Sequence, residues 1–167
     1  MSGIEDETVS FVPEQKVREI VLRRFAELKS TLEPLVEGAE IHHVGSTAIP
    51  GSLTKGDLDI QVRVSERQFA QVRARLKALY AVNEGGFIAA DAISFEDYSS
   101  DTPVGIHLTV VGGSCDLQFK FRDRLLASAS LRKEYDDLKR RFEGGSMQAY
   151  RNAKEGFVLR VLPEYDE

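Results

Sequence analysis

The stretch HVGSTAIPG at residues 43–51, followed by KGDLDI at residues 55–60, decides the fold of this chain. Residues 39–44 read as a short strand that leads into a loop of small residues, 45–56. Polar and apolar residues then alternate over 57–64, which is typical of a strand with one buried face. The sequence therefore predicts two strands that flank one loop.

Two carboxylates stand at the start of the second strand. Successive side chains on a strand point to opposite faces, so Asp57 and Asp59 project to the same side with Cα atoms about 6.5–7 Å apart. Leu58 and Ile60 then face the other side. Converging carboxylates repel each other unless a cation lies between them, and their hard oxygens favour Mg²⁺ or Mn²⁺. Asp57 and Asp59 are thus predicted catalytic metal ligands, with a solvated polar strand face as the alternative.

The loop before these carboxylates contains residues suited to a phosphate chain. Gly45 allows the backbone to approach a ligand closely, and Ser46 adds a hydroxyl beside the N–H groups of the loop. Lys55 supplies a positive charge that can neutralise phosphate oxygens while a nucleotidyl group transfers. The pattern predicts metal-assisted phosphoryl transfer from a nucleoside triphosphate. A serine-capped turn and a surface lysine are the simpler alternatives.

Helical periodicity occurs in three parts of the chain. Apolar residues recur at three- and four-residue steps over residues 13–32. The same periodicity follows Ser65 and Gln68, which have the spacing of a capping box, and it returns from about Phe121. The basic run 139–141 is predicted to be a solvated helix end without a functional role.

Further strands are expected between these helices. Residues 92–98 and 105–111 each alternate as strands do, and residues 115–119 fit either a short strand or a loop. Strands mixed with helices, without a strict β-α-β-α repeat, predict an α+β fold. We expect a mixed central β-sheet of four to six strands, flanked by helices.

Length and composition limit the classes of function. The 167 residues suit one domain and carry a formal net charge of −5, opposite in sign to that of proteins that wrap nucleic acids through bulk charge. The single Cys115 excludes a disulfide within the chain and fits a reducing compartment. No apolar run approaches the roughly 20 residues that span a bilayer. We therefore expect a soluble, cytoplasmic protein with no membrane partner and no bulk nucleic-acid binding.

The spacing of the glycine-serine pair and the DLDI segment resembles the signature of the polymerase-beta-type nucleotidyltransferase superfamily. Within that superfamily, HVGSTAIPG followed by GIHLTVV, FRDRL and KEYDDLKRRF is similar to the GrpB-like family. The resemblance covers about residues 13–162. It implies a minimal nucleotidyltransferase fold over 13–162, preceded by an acidic N-terminal segment, 1–12, and followed by an acidic tail, 163–167.

The family motifs also suggest further nucleotide-binding residues. Thr47 belongs to the HVGST motif, and Arg122 of the FRD motif is expected on phosphate, with an ion pair to Asp123 as the simpler alternative. Tyr150 and Lys154 share a helical face, where the tyrosine is expected to stack on a base and the lysine to bind phosphate. Core packing and a solvated lysine are the alternatives. His43 is expected to support the site without contacting the ligand, with a purely structural histidine as the alternative.

The chain also departs from its family. Ser52 stands where a leucine is usual, and Asp57 stands where an aliphatic residue is usual, which favours catalysis. Active superfamily members generally have a third acid on a later strand, but the corresponding GIHLT segment at 105–109 has none. His107 on that strand is our preferred substitute, as a ligand or a base. The other candidates for the third carboxylate are Asp97, Asp116 and Asp123.

These observations predict a metal-dependent nucleotidyltransferase that moves a nucleoside monophosphate from a nucleoside triphosphate to an acceptor. The sequence does not identify the acceptor or the nucleobase. A nucleotide- or phosphate-binding module without turnover is the first alternative. A regulatory, antitoxin-like partner protein is the second.

Overall fold

The computed structural model describes residues 6–163, which form one mixed sheet with helices on both faces. The bounds of the strands are β1 Val12–Pro13, β2 Glu40–Val44, β3 Leu53–Thr54, β4 Leu58–Val64, β5 Ala81–Val82, β6 Ile88–Ala89, β7 Ala92–Asp97 and β8 Val104–Val110. The bounds of the helices are α1 Arg18–Leu32, α2 Glu66–Lys77, α3 Gln118–Ala127, α4 Ala129–Phe142 and α5 Met147–Val161.

The main sheet has six strands in the order β2-β4-β8-β7-β5, with β6 paired to β7. Strands β4 and β8 are parallel, and the other pairs are antiparallel. The short strands β1 and β3 form a separate antiparallel pair. The predicted α+β class and mixed sheet are confirmed, and the strand count lies at the upper end of the predicted range.

Strand β4 occupies an interior position because one of its faces is continuously apolar. Its residues Leu58, Ile60, Val62 and Val64 are all buried and pack in one core with the apolar faces of α1 and α2. Burial of side chains of this size contributes about 1.5–3 kcal/mol each. This packing directs the intervening residues of β4 to the opposite face.

A second core lies on that opposite face, among α3, α4 and α5. Tyr135 stacks on Phe157 at 5.2 Å between ring centroids, and Phe121 meets Tyr135 edge-on at 5.5 Å. The polar β4 residue Gln61 bonds this layer to the sheet, since its Oε1 accepts from the Phe119 N–H at 2.9 Å. The α3–α5 layer therefore has a defined position relative to the polar face of β4.

The long strands agree with the predicted ones, but the short strands β1, β3, β5 and β6 were not predicted, and the helical stretch predicted from about Phe121 is divided into α3 and α4. Two further predictions also differ from the structure. The first helix does not begin at Pro13: a 3₁₀ turn spans Glu14–Lys16, and α1 begins at Arg18. The buried Glu14 carboxylate accepts two hydrogen bonds from the Arg18 side chain, which closes this turn. The strand alternative for residues 115–119 is also wrong, because a turn leads there into α3.

The basic run at the end of α4 is not uniformly solvated. Arg140 and Arg141 are exposed, as predicted, but the prediction is wrong for Lys139, whose side chain is fully buried. Its ammonium group lies 3.8 Å from the centroid of the Tyr135 ring. Helical periodicity places Lys139 on the side of α4 that meets the loop before β4, and three-dimensional contacts there supply its partners.

The described part of the N-terminal segment packs against the loop that precedes α5. The Val9 N–H donates to Gly145 O at 3.0 Å, and the Gly144 N–H donates to Val9 O at 2.8 Å. The Val9 side chain is fully buried in the second core. Residues 1–5 of the predicted acidic segment and residues 164–167 of the predicted tail lie outside the described residues. Across residues 6–163, the helices lack the combination of length and apolar character that spanning a membrane demands.

Candidate functional site

A cavity of about 190 Å³ lies where β4 and β8 begin and β7 ends. A larger space of about 430 Å³ lies between α4 and α5, but it contains none of the predicted site residues. Its wall carries the exposed ion pair between Arg160 and Glu134. The smaller cavity brings together seven of the predicted site residues: Ser46, Lys55, Asp57, Asp59, His107, Tyr150 and Lys154.

Asp59 lies between two glycines, and both approach its carboxylate closely. A Cβ on Gly45 would lie 2.5 Å from Asp59 Oδ2, and a Cβ on Gly105 would lie 2.9 Å from Oδ1. Gly45 also has a φ of +77°, a conformation that side chains other than hydrogen disfavour. Gly105 is the register partner of Asp59 on β8. The carboxylate therefore occupies space that exists because two neighbouring positions lack side chains.

The Asp59 carboxylate is ionised at neutral pH. Its partial burial acts to raise its pKa, but the hydrogen bond from His107 and the positive charges of Lys154 and Lys55 outweigh that effect, so the pKa is lowered. His107 Nε2 lies 3.1 Å from Asp59 Oδ1. A permanently negative group therefore faces a cavity that also contains two lysines.

Asp57 and Lys55 form a second charged pair at the rim of the cavity. Lys55 Nζ lies 3.4 Å from Asp57 Oδ2, and both side chains are about one third exposed. An exposed pair of this kind contributes little to stability. Each side chain can therefore leave this ion pair and bind a ligand instead, at a small cost in free energy.

Thr47 stabilises the loop and does not line the cavity. Its hydroxyl donates to Asp57 O at 3.0 Å and lies 2.9 Å from His43 Nε2, which donates to it. Burial is the main reason that the pKa of His43 is lowered, so the imidazole is neutral. The structure thus gives His43 the supporting position predicted for it and gives Thr47 a similar one.

Ser46 is half-buried and connects to the second core through hydroxyl groups. The Tyr135 hydroxyl lies close enough to the hydroxyls of Ser46 and Tyr150 for both to act to lower its pKa. Burial raises the pKa of Tyr135 to about 12 and raises the pKa of Tyr150 as well, so both phenols stay protonated. The ring of Tyr150 is 3% exposed and meets Phe11 edge-on. Tyr150 therefore offers no open ring face to a base, and it corresponds to the core-packing alternative.

Arg122 lies outside the cavity. Its Nη1 donates to His43 O at 3.0 Å, and its Nε donates to Asp123 at 2.9 Å. This is the ion-pair alternative, in which Arg122 holds β2 against α3. Lys154 does line the cavity, together with the exposed Arg151.

None of the three acids considered for the third carboxylate reaches the cavity. Asp97 pairs with Arg24 at 2.8 Å, Asp116 pairs with Arg63 at 2.7 Å, and Asp123 pairs with Arg122. The structure instead places Glu96 in the cavity wall. Glu96 and Asp59 are both register partners of Gly105, on either side of it. Alternation alone placed Glu96 on a strand, but its position beside Asp59 depends on pairing between distant segments.

The residues fit a divalent cation in chemistry and in space, although they do not form a complete cage. Asp57 and Asp59 are hard oxygen donors in one cavity, and the space around Asp59 is one that a Cβ would fill. Among residues 6–163, no group of three or more acidic, histidine or cysteine side chains is arranged to hold a metal ion. A cation here would need ligands from its substrate, as Mg²⁺ often does with phosphates.

The sheet topology and this cavity define a protein of the nucleotidyltransferase fold. A crystal structure of the Cid1 poly(U) polymerase bound to MgATP superposes with a TM-score of 0.53 at 15% identity. It covers 77% of this chain, and the chain spans 42% of that polymerase. The chain itself belongs to the GrpB family, whose model, described as GrpB protein, matches residues 16–164.

Two relatives agree with this assignment. The crystal structure of the conserved protein GrpB from Enterococcus faecalis has a TM-score of 0.67 at 18% identity, and the match covers 88% of this chain and 95% of that one. A UPF0157 protein of Vibrio cholerae is 30% identical over 128 residues, which are 77% of this chain and 68% of the relative.

We expect Gly105→Ala to displace the Asp59 carboxylate with only a moderate loss of stability. The added methyl group would meet Asp59 Oδ1 at 2.9 Å and His107 Nε2 at 3.0 Å, so one of them must move. Affinity for a metal–nucleotide complex, measured by calorimetry, should fall about tenfold. Gly156→Ala is the matched control: its Cβ meets nothing within 4 Å, so it should leave affinity unchanged and stabilise α5 by about 0.5–1 kcal/mol. Equal affinities for the two variants would contradict this account of Gly105.

Proposed function

We propose that this protein binds a nucleoside triphosphate with a divalent cation and transfers the nucleoside monophosphate to an acceptor. The observation that supports this proposal is one cavity containing Ser46, Asp57 and Asp59 beside two lysines. A nucleoside triphosphate with its cation needs acidic side chains to bind the cation and basic side chains to bind the phosphates. Because one small cavity contains both kinds of side chain, it suits this substrate better than a purely anionic or purely cationic molecule.

Each group has a distinct role in this proposal. Asp57 and Asp59 would hold Mg²⁺ or Mn²⁺, which supplies Lewis-acid neutralisation of phosphate charge when bound. The Ser46 hydroxyl donates to phosphate oxygens, and Lys55 and Lys154 neutralise charge at the rim. The partial exposure of the Lys55–Asp57 pair permits Lys55 to turn from Asp57 to a phosphate.

The proposed reaction is a displacement at the α-phosphorus. An acceptor oxygen forms a bond to the α-phosphorus, and the bond from that phosphorus to the oxygen bridging the α- and β-phosphates breaks. Pyrophosphate leaves with the electron pair of that bond, and the acceptor proton passes to solvent. The protein contributes chiefly position and charge, as in other phosphoryl transfers.

Thermal unfolding and pyrophosphate release together test the proposal. We expect each effective nucleoside triphosphate to raise the Tm by several degrees in the presence of Mg²⁺ and not in the presence of a chelator, because ligands that bind the folded state stabilise it. Pyrophosphate should appear once a suitable acceptor is supplied. If none of the four common nucleoside triphosphates shifts the Tm with Mg²⁺ or Mn²⁺, the proposal is wrong.

The module without turnover is the second candidate, and a specific observation favours it. Within the described part of the chain, no three metal-binding side chains are preassembled, and the three predicted third acids all pair elsewhere. Such a protein would show the same Tm shift without pyrophosphate release under any acceptor. A regulatory, antitoxin-like role remains a prediction from the sequence.

A further inference from the structure

A line of three hydrogen bonds connects the Asp59 carboxylate to the backbone of Phe87. The Phe87 N–H donates to Ser94 Oγ at 2.9 Å. Ser94 Oγ lies 2.8 Å from His107 Nδ1, and His107 Nε2 lies 3.1 Å from Asp59 Oδ1. Ser94 and His107 are register partners on β7 and β8, so the sheet holds their side chains on one face. The Ser94 side chain in the middle of this line is fully buried.

The direction of the bond from His107 to Asp59 follows from what each atom can donate or accept. An ionised carboxylate only accepts, so His107 Nε2 carries a hydrogen. Ser94 Oγ accepts from the Phe87 N–H and also pairs with His107 Nδ1. A hydroxyl group can donate or accept, so this contact holds the ring in place whichever of the two atoms donates.

We infer that Ser94 is a positioning residue of the nucleotide site, and that it acts through His107 to orient Asp59. Ser94 holds the His107 ring in the orientation in which Nε2 donates its hydrogen to Asp59. Both ring nitrogens have a partner in this arrangement, so we assign His107 the role of a donor to Asp59. The effect on nucleotide binding rests on the proposed function, whereas the direction of the bond from His107 to Asp59 does not.

Neighbouring groups restrict the movement of the Ser94 and His107 side chains. A Cβ on Gly86 would lie 2.5 Å from Ser94 Cβ, and a Cβ on Gly105 would lie 3.0 Å from His107 Nε2. The Phe87 ring meets the His107 ring edge-on at 5.9 Å between centroids. Residues that hold a metal-binding side chain in this way commonly change the affinity for the metal by 10- to 100-fold.

Nitrogen NMR of the ¹⁵N-labelled full chain without nucleotide tests the direction of the bond from His107 to Asp59. We expect the His107 resonances to show a hydrogen on Nε2, the nitrogen that faces Asp59, with the signals assigned by their loss in His107→Gln. A ring without a hydrogen on Nε2 overturns the inference. This measurement uses the wild-type protein, so it does not depend on any variant folding.

Two pairs of variants test the positioning role, with MgATP as the probe. Ser94→Ala should shift the His107 Nε2 resonance, because the ring loses the hydroxyl group that holds it, and should weaken MgATP binding about tenfold. Ser114→Ala removes a hydroxyl that bonds Asp91 at 2.8 Å and should change neither. His107→Gln keeps an N–H for Asp59 but cannot act as a base, so it should recover part of the affinity and turnover lost in His107→Ala.

The outcomes of these measurements are separable. Wild-type affinity and an unshifted His107 Nε2 resonance in Ser94→Ala, or equal losses in His107→Gln and His107→Ala, would overturn the positioning role. If Ser94→Ala does not fold because the Phe87 N–H loses its acceptor, the wild-type Nε2 resonance and the two His107 variants still decide. If wild-type protein binds no nucleotide at all, the proposed function fails, while the NMR result alone accepts or rejects the bond from His107 to Asp59.

Discussion

Replacement of Asp59 by asparagine is expected to lower Mg²⁺-dependent nucleotide transfer on the order of 100-fold or more, a loss of about 2.7 kcal/mol in transition-state stabilisation. The substitution keeps the size of the side chain but removes the negative charge that faces Lys55 and Lys154. It also removes a hard oxygen donor from the proposed cation site. The Tm shift produced by Mg²⁺ with a nucleoside triphosphate should disappear with the transfer activity.

Asp123→Asn is the matched control for this prediction. Asp123 is exposed, and its ion pair with Arg122 lies outside the cavity, so transfer and nucleotide binding should stay within a factor of two of wild type. The folded content of both variants can be compared by circular dichroism. Metal-dependent binding that survives in Asp59→Asn to within threefold of wild type would remove Asp59 from the proposed site.

Replacement of Lys139 by methionine is expected to destabilise the folded state by about 3 kcal/mol, a shift of roughly 6–12 °C in Tm for a chain of this size. Lys139 Nζ donates to Leu53 O at 2.6 Å and to Ser52 Oγ at 3.1 Å, and it lies 3.7 Å from Asp136 Oδ1. Methionine fills similar space but leaves these buried acceptors without their donor. Ser52 is one of the two positions predicted from the sequence to depart from the family pattern, and this contact gives that serine a structural role.

The same lysine gives the free energy of unfolding a defined pH dependence. Burial lowers the pKa of Lys139 to about 7, against the opposing effect of Asp136. Between pH 7 and the ordinary lysine pKa near 10, the unfolded chain binds more protons at this position than the folded one. Stability contributed through Lys139 therefore rises with pH over that interval and is reduced below pH 7.

Urea denaturation of wild type and Lys139→Met at pH 6.5 and pH 9.5 measures both effects. The difference between the two proteins should be larger at pH 9.5. Arg140→Met, at the exposed neighbouring position, should cost less than about 0.5 kcal/mol at both values. A Lys139→Met variant as stable as Arg140→Met would contradict the role assigned to the buried ammonium group.

Local pattern alone predicts a large part of the fold and of the candidate site. The alternation at β4 predicts both its buried face and the common direction of Asp57 and Asp59. The adjacent loop supplies Ser46 and Lys55 over a short stretch of chain, and all four line one cavity. Short separations of this kind leave little freedom, because strand geometry largely determines where the side chains point.

Other residues of the site depend on contacts between distant segments. Glu96 neighbours Asp59 because Gly105 pairs with both of them, and no local pattern states that register. Ser94 reaches His107 for the same reason. Tyr135 shows only helical periodicity in the sequence, yet its hydroxyl reaches Ser46.

The sequence by itself therefore determined the family, the order of the elements, and the carboxylate pair that follows a glycine-serine loop. Only the tertiary structure decided which acids enter the cavity, that Arg122 lies outside it, and that the side chains of Tyr150 and Lys139 are buried. The physical reason is that periodicity reports which face of an element a residue occupies, and it carries no information about the partner that covers that face. Strand register and helix docking supply this partner, and both are set by long-range packing.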